Sequence, residues 1–163
     1  MIQVPFKIDL NSDKWEEQKD VSDGKSIKGL HILLTEDNEL NMEIAEFVLQ
    51  NEGAVVTKAW NGQEAVERFK KSEPGEFDAI LMDIMMPVMN GYEAAKTIRS
   101  MDRKDAKAIP IIAMTANAFT EDRIRAKEAG MDQHIAKPID IKPYLLFLTR
   151  CLELHKNCIY IEN

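Results

Sequence analysis

The stretch Phe77-Asp78-Ala79-Ile80-Leu81-Met82-Asp83-Ile84-Met85-Met86-Pro87-Val88-Met89-Asn90-Gly91 decides the fold. Its first part is a short apolar strand run that stops at the carboxylate of Asp83. A run with no polar alternation fits a strand covered on both faces, as in a parallel sheet. Pro87 and Asn90-Gly91 then mark a loop, and Ala94, Ala95 and Ile98 carry the helix that follows.

The same unit repeats in both directions. Toward the N-terminus, Leu30-His31-Ile32-Leu33-Leu34 is a strand run ending at Thr35-Glu36-Asp37. Leu40, Ile44, Phe47 and Val48 follow at helical offsets, closed by Gly53 as a C-cap. Residues 54–59 read as a second strand, and Asn61-Gly62 opens a helix through Ala65, Val66 and Phe69. Pro74-Gly75 breaks the chain before the third strand. Toward the C-terminus, Pro110 precedes a fourth strand over residues 111–114, which ends at Thr115. A helix runs to Gly130, a fifth strand to Ala136, and Lys137-Pro138 follows. A last helix carries Ile141, Leu145, Leu148 and Leu152. Five strands alternating with five helices imply an α/β fold, a parallel sheet with helices on both faces. Right-handed crossovers make an open doubly wound sheet the simplest arrangement.

Residues 1–27 break this rhythm. Ile2, Val4, Phe6, Ile8 and Leu10 alternate with a period of two, interrupted by Pro5 as an edge strand allows, and Asn11 to Gly29 is polar and linker-like. The segment reads either as the tail of a preceding domain with its linker or as a disordered leader. Residues 28–155 form the α/β domain, and residues 156–163 a C-terminal tail.

Composition narrows the function. Of 163 residues 45% are apolar, enough for one sizeable core. With 21 basic and 28 acidic residues the net charge is −7, which argues against a nucleic-acid partner. No apolar run approaches the length that crosses a bilayer, and the N-terminus lacks secretory-signal features. A cytoplasmic chain without membrane contact, or the cytoplasmic part of a membrane-bound protein, is the expectation. Cys151 and Cys158, with His155 between them, give neither a zinc signature nor a disulfide framework and read as two reduced thiols.

The strand ends carry the chemistry. In such a sheet, ligands bind beyond the carboxyl ends of the strands. Those ends deliver Glu36 and Asp37, Asp83, Thr115 and Lys137. Three carboxylates together repel one another unless a cation joins them, and hard oxygen ligands suit magnesium better than zinc. Thr115 and Lys137 can meet phosphoryl oxygens, and a carboxylate can itself be the nucleophile that forms an acyl phosphate. Any one of these residues alone reads as a helix cap or a solvated loop charge. All five at successive strand ends point to phosphoryl transfer onto an Asp.

Glu36-Asp37, the stretch from Met82 to Gly91, Pro110-Ile111-Ile112-Ala113-Met114-Thr115-Ala116 and Lys137-Pro138 together resemble the response-regulator receiver domain of two-component signalling. The resemblance covers about residues 28 to 155. It implies a flavodoxin-like strand order of 2-1-3-4-5 and Asp83 as phosphoacceptor. It further implies magnesium held by Asp37, Asp83 and the Met85 backbone carbonyl, with Glu36 acting through water. Thr115 and Lys137 would hold the phosphoryl group, and the bond before Pro138 would be cis. Met85 and Asn117 would flank the site and influence the phosphoryl lifetime. The implied donor is a phosphohistidine on a histidine kinase or a histidine-phosphotransfer domain, met by a monomer or weak dimer.

Two positions depart from the family pattern. Glu36-Asp37 stands where an Asp-Asp pair is common, although Glu is frequent in receivers attached to histidine kinases. His134 stands where Tyr or Phe is typical, and reads either as an exposed strand residue or as a rotating part of the switch. Val4-Pro5-Phe6-Lys7 also resembles the last strand of a histidine-kinase ATP-binding domain, which implies a receiver from a hybrid histidine kinase.

Other classes fit less well. A haloacid-dehalogenase-type phosphatase needs a second Asp two residues after the first, and that position is Met85. A flavin or nucleotide carrier needs a Ser-, Thr- or Gly-rich phosphate loop where Thr35-Glu36-Asp37-Asn38-Glu39 stands. A degenerate receiver would have lost Asp83 or Lys137, and both are present.

Overall fold

The computed structural model describes residues 26–117, 119–140, 147–150 and 152. The expectations for residues 1–25, Ile141, Leu145, Cys151, His155 and Cys158 lie outside the described residues.

The elements run β1 (His31–Thr35), α1 (Glu39–Asn51), β2 (Val55–Ala59), α2 (Gly62–Lys71), β3 (Ala79–Asp83), α3 (Gly91–Arg99), α4 (Lys104–Ala108), β4 (Ile111–Thr115), α5 (Thr120–Glu128) and β5 (Gln133–Ala136). Residues 147–150 are helical as well. All strand pairs are parallel, in the order β2-β1-β3-β4-β5. This is the expected doubly wound sheet. One helix was not foreseen: α4 is five residues long, too short and too polar to show a period.

Strand alternation divides the core into two layers. Leu33, Ile80, Met82, Ile111 and Ala113 face Phe69 of α2, Ile98 of α3 and Ala126 of α5. Ile32, Leu34, Leu81, Ile112 and Met114 face Met42, Ala45 and Leu49 of α1, together with Leu148. Every residue of β3 and β4 is buried, as central strands covered on both faces require.

The helix starts follow local chemistry. Asn38, Asn61 and Asn90 each accept a backbone N–H three residues on, capping α1, α2 and α3. Gly53 ends α1 with φ +88, a conformation that favours a residue without Cβ. One feature of α1 differs from what its sequence pattern implies. The stripe of Leu40, Ile44 and Phe47 that marks the helix is exposed, at 63%, 43% and 71%, and Met42, Ala45 and Leu49 are buried instead. Both stripes are helix-periodic, so the period alone does not say which one meets the sheet.

Candidate functional site

Parallel strands bring their carboxyl ends to one edge, so the residues that follow β1, β3, β4 and β5 converge. Carboxylate oxygens of Glu36, Asp37 and Asp83 all lie within 4.8 Å of one another. Glu36 and Asp83 are buried and Asp37 is exposed. Lys137 reaches in from the loop after β5, its Nζ 2.5 Å from Glu36 Oε2 and 3.0 Å from Asp83 Oδ2. The Lys137–Pro138 peptide is cis.

The remaining oxygens of the buried acids are also engaged. Glu36 Oε1 accepts from the Asn38 N–H at 3.2 Å and from Asn41 Nδ2 at 3.3 Å. Asp83 Oδ1 accepts from the Met85 N–H at 3.3 Å. The Met85 side chain itself is 80% exposed. Gly91 packs so close beneath Asp83 that a Cβ there would meet the Asp83 carbonyl oxygen. The loop from β3 to α3 can return under the site only because that position is Gly.

The electrostatics follow from burial and crowding. Burial pushes the Asp83 carboxyl up to about 6; the hydrogen bond from Lys137 pulls the other way, and the neighbouring Glu36 charge pushes it further up. Burial alone would lower the Lys137 ammonium, but hydrogen bonds to Glu36 and Asp83 outweigh it and raise it. The ammonium therefore stays charged, and the acids around it carry surplus negative charge. Three hard oxygen donors with surplus charge and one open side at Asp37 are a donor set that fits a divalent cation such as magnesium.

Thr115 and His134 do not join this group directly. The Thr115 hydroxyl donates to the Asn117 carbonyl at 2.6 Å and accepts the Asn117 N–H at 3.1 Å. His134 pairs with Ala113 along β5 and lines a cleft of about 520 Å³ with Arg123, Lys127 and Gln133. Burial, then the Arg123 charge, lowers the His134 imidazole from its ordinary range. Asn38 and Asn41, the donors to Glu36, went unnoticed in the sequence as site residues. The available signal was an Asn-x-x-Asn at the start of α1 where α3 has Asn-x-x-Glu.

An open doubly wound α/β domain with an acidic pocket and a lysine at its strand ends defines the class. The sequence matches the family described as the response regulator receiver domain over residues 32–146, and the chain belongs to that family. Among curated relatives, Histidine kinase 1 of Arabidopsis thaliana is 35% identical over 81% of this chain. Hybrid signal transduction histidine kinase M of Dictyostelium discoideum is 44% identical over 67% of it. The matches span 13% and 5% of those relatives' lengths.

Solved structures agree. The receiver domain of the sensor histidine kinase PA1611 from Pseudomonas aeruginosa, with magnesium in its active-site cleft, matches with TM-score 0.68 and 38% identity. That match covers 77% of this chain and 98% of the other. The receiver of the Saccharomyces cerevisiae response regulator Ssk1, solved with the histidine phosphotransfer protein Ypd1, matches with TM-score 0.67 and 29% identity. It covers 78% and 91% of the two chains. The chain is thus a receiver domain of two-component signalling. Among the described residues no helix is long and apolar enough to cross a membrane.

Proposed function

We propose that this receiver accepts a phosphoryl group on Asp83 from a phosphohistidine and converts the modification into a conformational switch. The observation that carries the reading is the convergence of Glu36, Asp37 and Asp83 on one point, with the Lys137 ammonium among them. Asp37, Asp83 and the Met85 carbonyl would hold magnesium, with Glu36 acting through water. When bound, that ion supplies positive charge for the phosphoryl oxygens.

An Asp83 oxygen attacks phosphorus in line. The bond to the donor imidazole breaks, and its electron pair returns to that nitrogen, leaving an acyl phosphate. Lys137 offsets the gathered charge, and the chain's contribution is positioning and electrostatics. Water later attacks the acyl phosphate and releases inorganic phosphate, with Met85 and Asn117 at the flanks setting access. To meet the phosphoryl group, Thr115 exchanges its bond to the Asn117 carbonyl for a new one. That exchange biases β4, α5 and β5, with His134, between two arrangements, and it shifts the population only by its differential stabilisation of them.

The donor is a histidine kinase or a histidine-phosphotransfer domain. The exposed apolar side chains of Leu40, Ile44 and Phe47 on α1, the helix that starts at this edge, and of Met85 and Val88 in the loop after β3 would offer it a surface. We read residues 28–155 as the receiver, 156–163 as its tail and 1–27 as the end of a preceding domain with its linker. The whole protein would be a hybrid histidine kinase with this part in the cytoplasm.

The test is intact mass after incubation with acetyl phosphate, with and without magnesium, for wild type and Asp83→Asn. One phosphoryl addition that requires magnesium and is absent in the variant supports the reading. Equal addition to the variant would overturn it.

A further inference from the structure

Glu36 is only 1% exposed, and its carboxylate is held from both sides. Lys137 takes Oε2, while the Asn38 N–H and the Asn41 side-chain amide share Oε1. Asn41 reaches Glu36 with its side-chain amide, while the bond that caps α1 uses its backbone N–H, which donates to Asn38 Oδ1 at 3.0 Å.

The comparison with α3 shows why an amide stands there. At the start of α3, Asn90 accepts from the Glu93 N–H and the Glu93 carboxylate accepts from the Asn90 N–H, a reciprocal capping box. At the start of α1 the cap residue's N–H goes instead to Glu36, two residues upstream. Glu36 takes over the part that Glu93 plays in α3, so the side chain at position 41 is released from capping. A Glu at 41 would set a second carboxylate against Glu36. Asn41 brings a donor instead, and it is half-buried against the site.

We propose that Asn41 is a positioning residue of the phosphoryl-acceptor site. By holding Glu36 Oε1 it aims Oε2 at Lys137 and the acid pocket, and so sets how firmly the three acids hold a divalent cation. The proposal rests on the reading that Glu36, Asp37 and Asp83 form a cation site. Groups outside the direct ligands of a metal site are worth roughly 10- to 100-fold in metal affinity, and Asn41, which acts through Glu36, belongs at the low end of that range.

The experiment is calorimetric titration of magnesium chloride into the full chain as wild type, Asn41→Ala, Glu36→Ala and the double variant. Metal-free thermal melts of the same four proteins accompany it. Asn41→Ala keeps the backbone cap and places a good helix former in α1, so its melt should stay close to wild type. Its magnesium Kd should rise about tenfold. The double variant should bind no more weakly than Glu36→Ala, because Asn41 acts through Glu36. A purely structural Asn41 would lower the melt and leave the Kd of the folded protein unmoved, which would overturn the proposal. So would an equal loss on removing Asn41 in the Glu36→Ala background. Failure of the wild type to bind magnesium would refute the underlying cation-site reading, and this proposal with it.

Discussion

The Lys137 ammonium lies 3.0 Å from Asp83 Oδ2 and at the same time 2.5 Å from Glu36, so one cation ties the acid after β1 to the acid that ends β3. In this arrangement the lysine and a divalent metal draw on the same carboxylates. Lys137→Met removes that competition while keeping much of the side-chain volume. Magnesium affinity of the variant should rise severalfold by calorimetry, and phosphoryl uptake from acetyl phosphate should fall by about tenfold or more. An unchanged magnesium affinity would contradict the shared ion pair.

Asp83 predicts a pH dependence of stability. Burial, against the pull of Lys137, holds its folded pKa at about 6, above the unfolded value of about 3.9. The folded state therefore binds the proton more tightly, and this group's contribution to stability is lost as pH rises from about 4 through about 6. Asp83→Asn removes the titration. The variant should gain stability over wild type across that window, by up to about 3 kcal/mol at pH 7 and by little at pH 4. Metal-free melts at several pH values measure it, and a constant difference across the window would count against the raised carboxyl.

Gly91 is required for close packing. A Cβ at that position meets the Asp83 carbonyl oxygen and crowds Ile84, and backbone cannot swing aside as a flexible side chain can. Gly91→Ala should destabilise by about 1–3 kcal/mol and disturb the acid pocket directly above it. Denaturant unfolding of the variant, together with its magnesium affinity, checks both effects.

Thr35 offers the opposite case. It is fully buried at the end of β1, and its hydroxyl has no hydrogen-bond partner. An unsatisfied buried hydroxyl costs about 1–3 kcal/mol. Thr35→Val should therefore raise stability by about 1 kcal/mol, read from chemical denaturation.

The sequence revealed the strands and the acid pocket for one physical reason. Strands buried on both faces leave unbroken apolar runs, and the polar residue that stops each run marks the edge where ligands bind. Asp83 and Thr115, which stop β3 and β4, and Glu36, just past β1, were legible in this way. What escaped had no such mark. The exposed stripe of Leu40, Ile44 and Phe47 is as periodic as the buried one. Arg99 and Arg103 carry no sequence signal for their roles: Arg99 donates to the Gly130 carbonyl and Arg103 to those of Phe69 and Ser72. Such bonds join segments that are distant in sequence and leave no local pattern. The turn of the Thr115 hydroxyl toward Asn117 is likewise a rotamer choice that composition cannot encode.

The central claim is that Asp83 itself carries the phosphoryl group. Borohydride reduces an acyl phosphate to the alcohol and expels phosphate, so a phosphorylated aspartate is recovered as homoserine. The full chain would be treated with acetyl phosphate and magnesium, reduced, digested and mapped by peptide mass. Homoserine at position 83 and at no other carboxylate is the predicted result. Reduction at Glu36 would give 2-amino-5-hydroxypentanoic acid instead, and homoserine at position 37 with Asp83 intact would contradict the account.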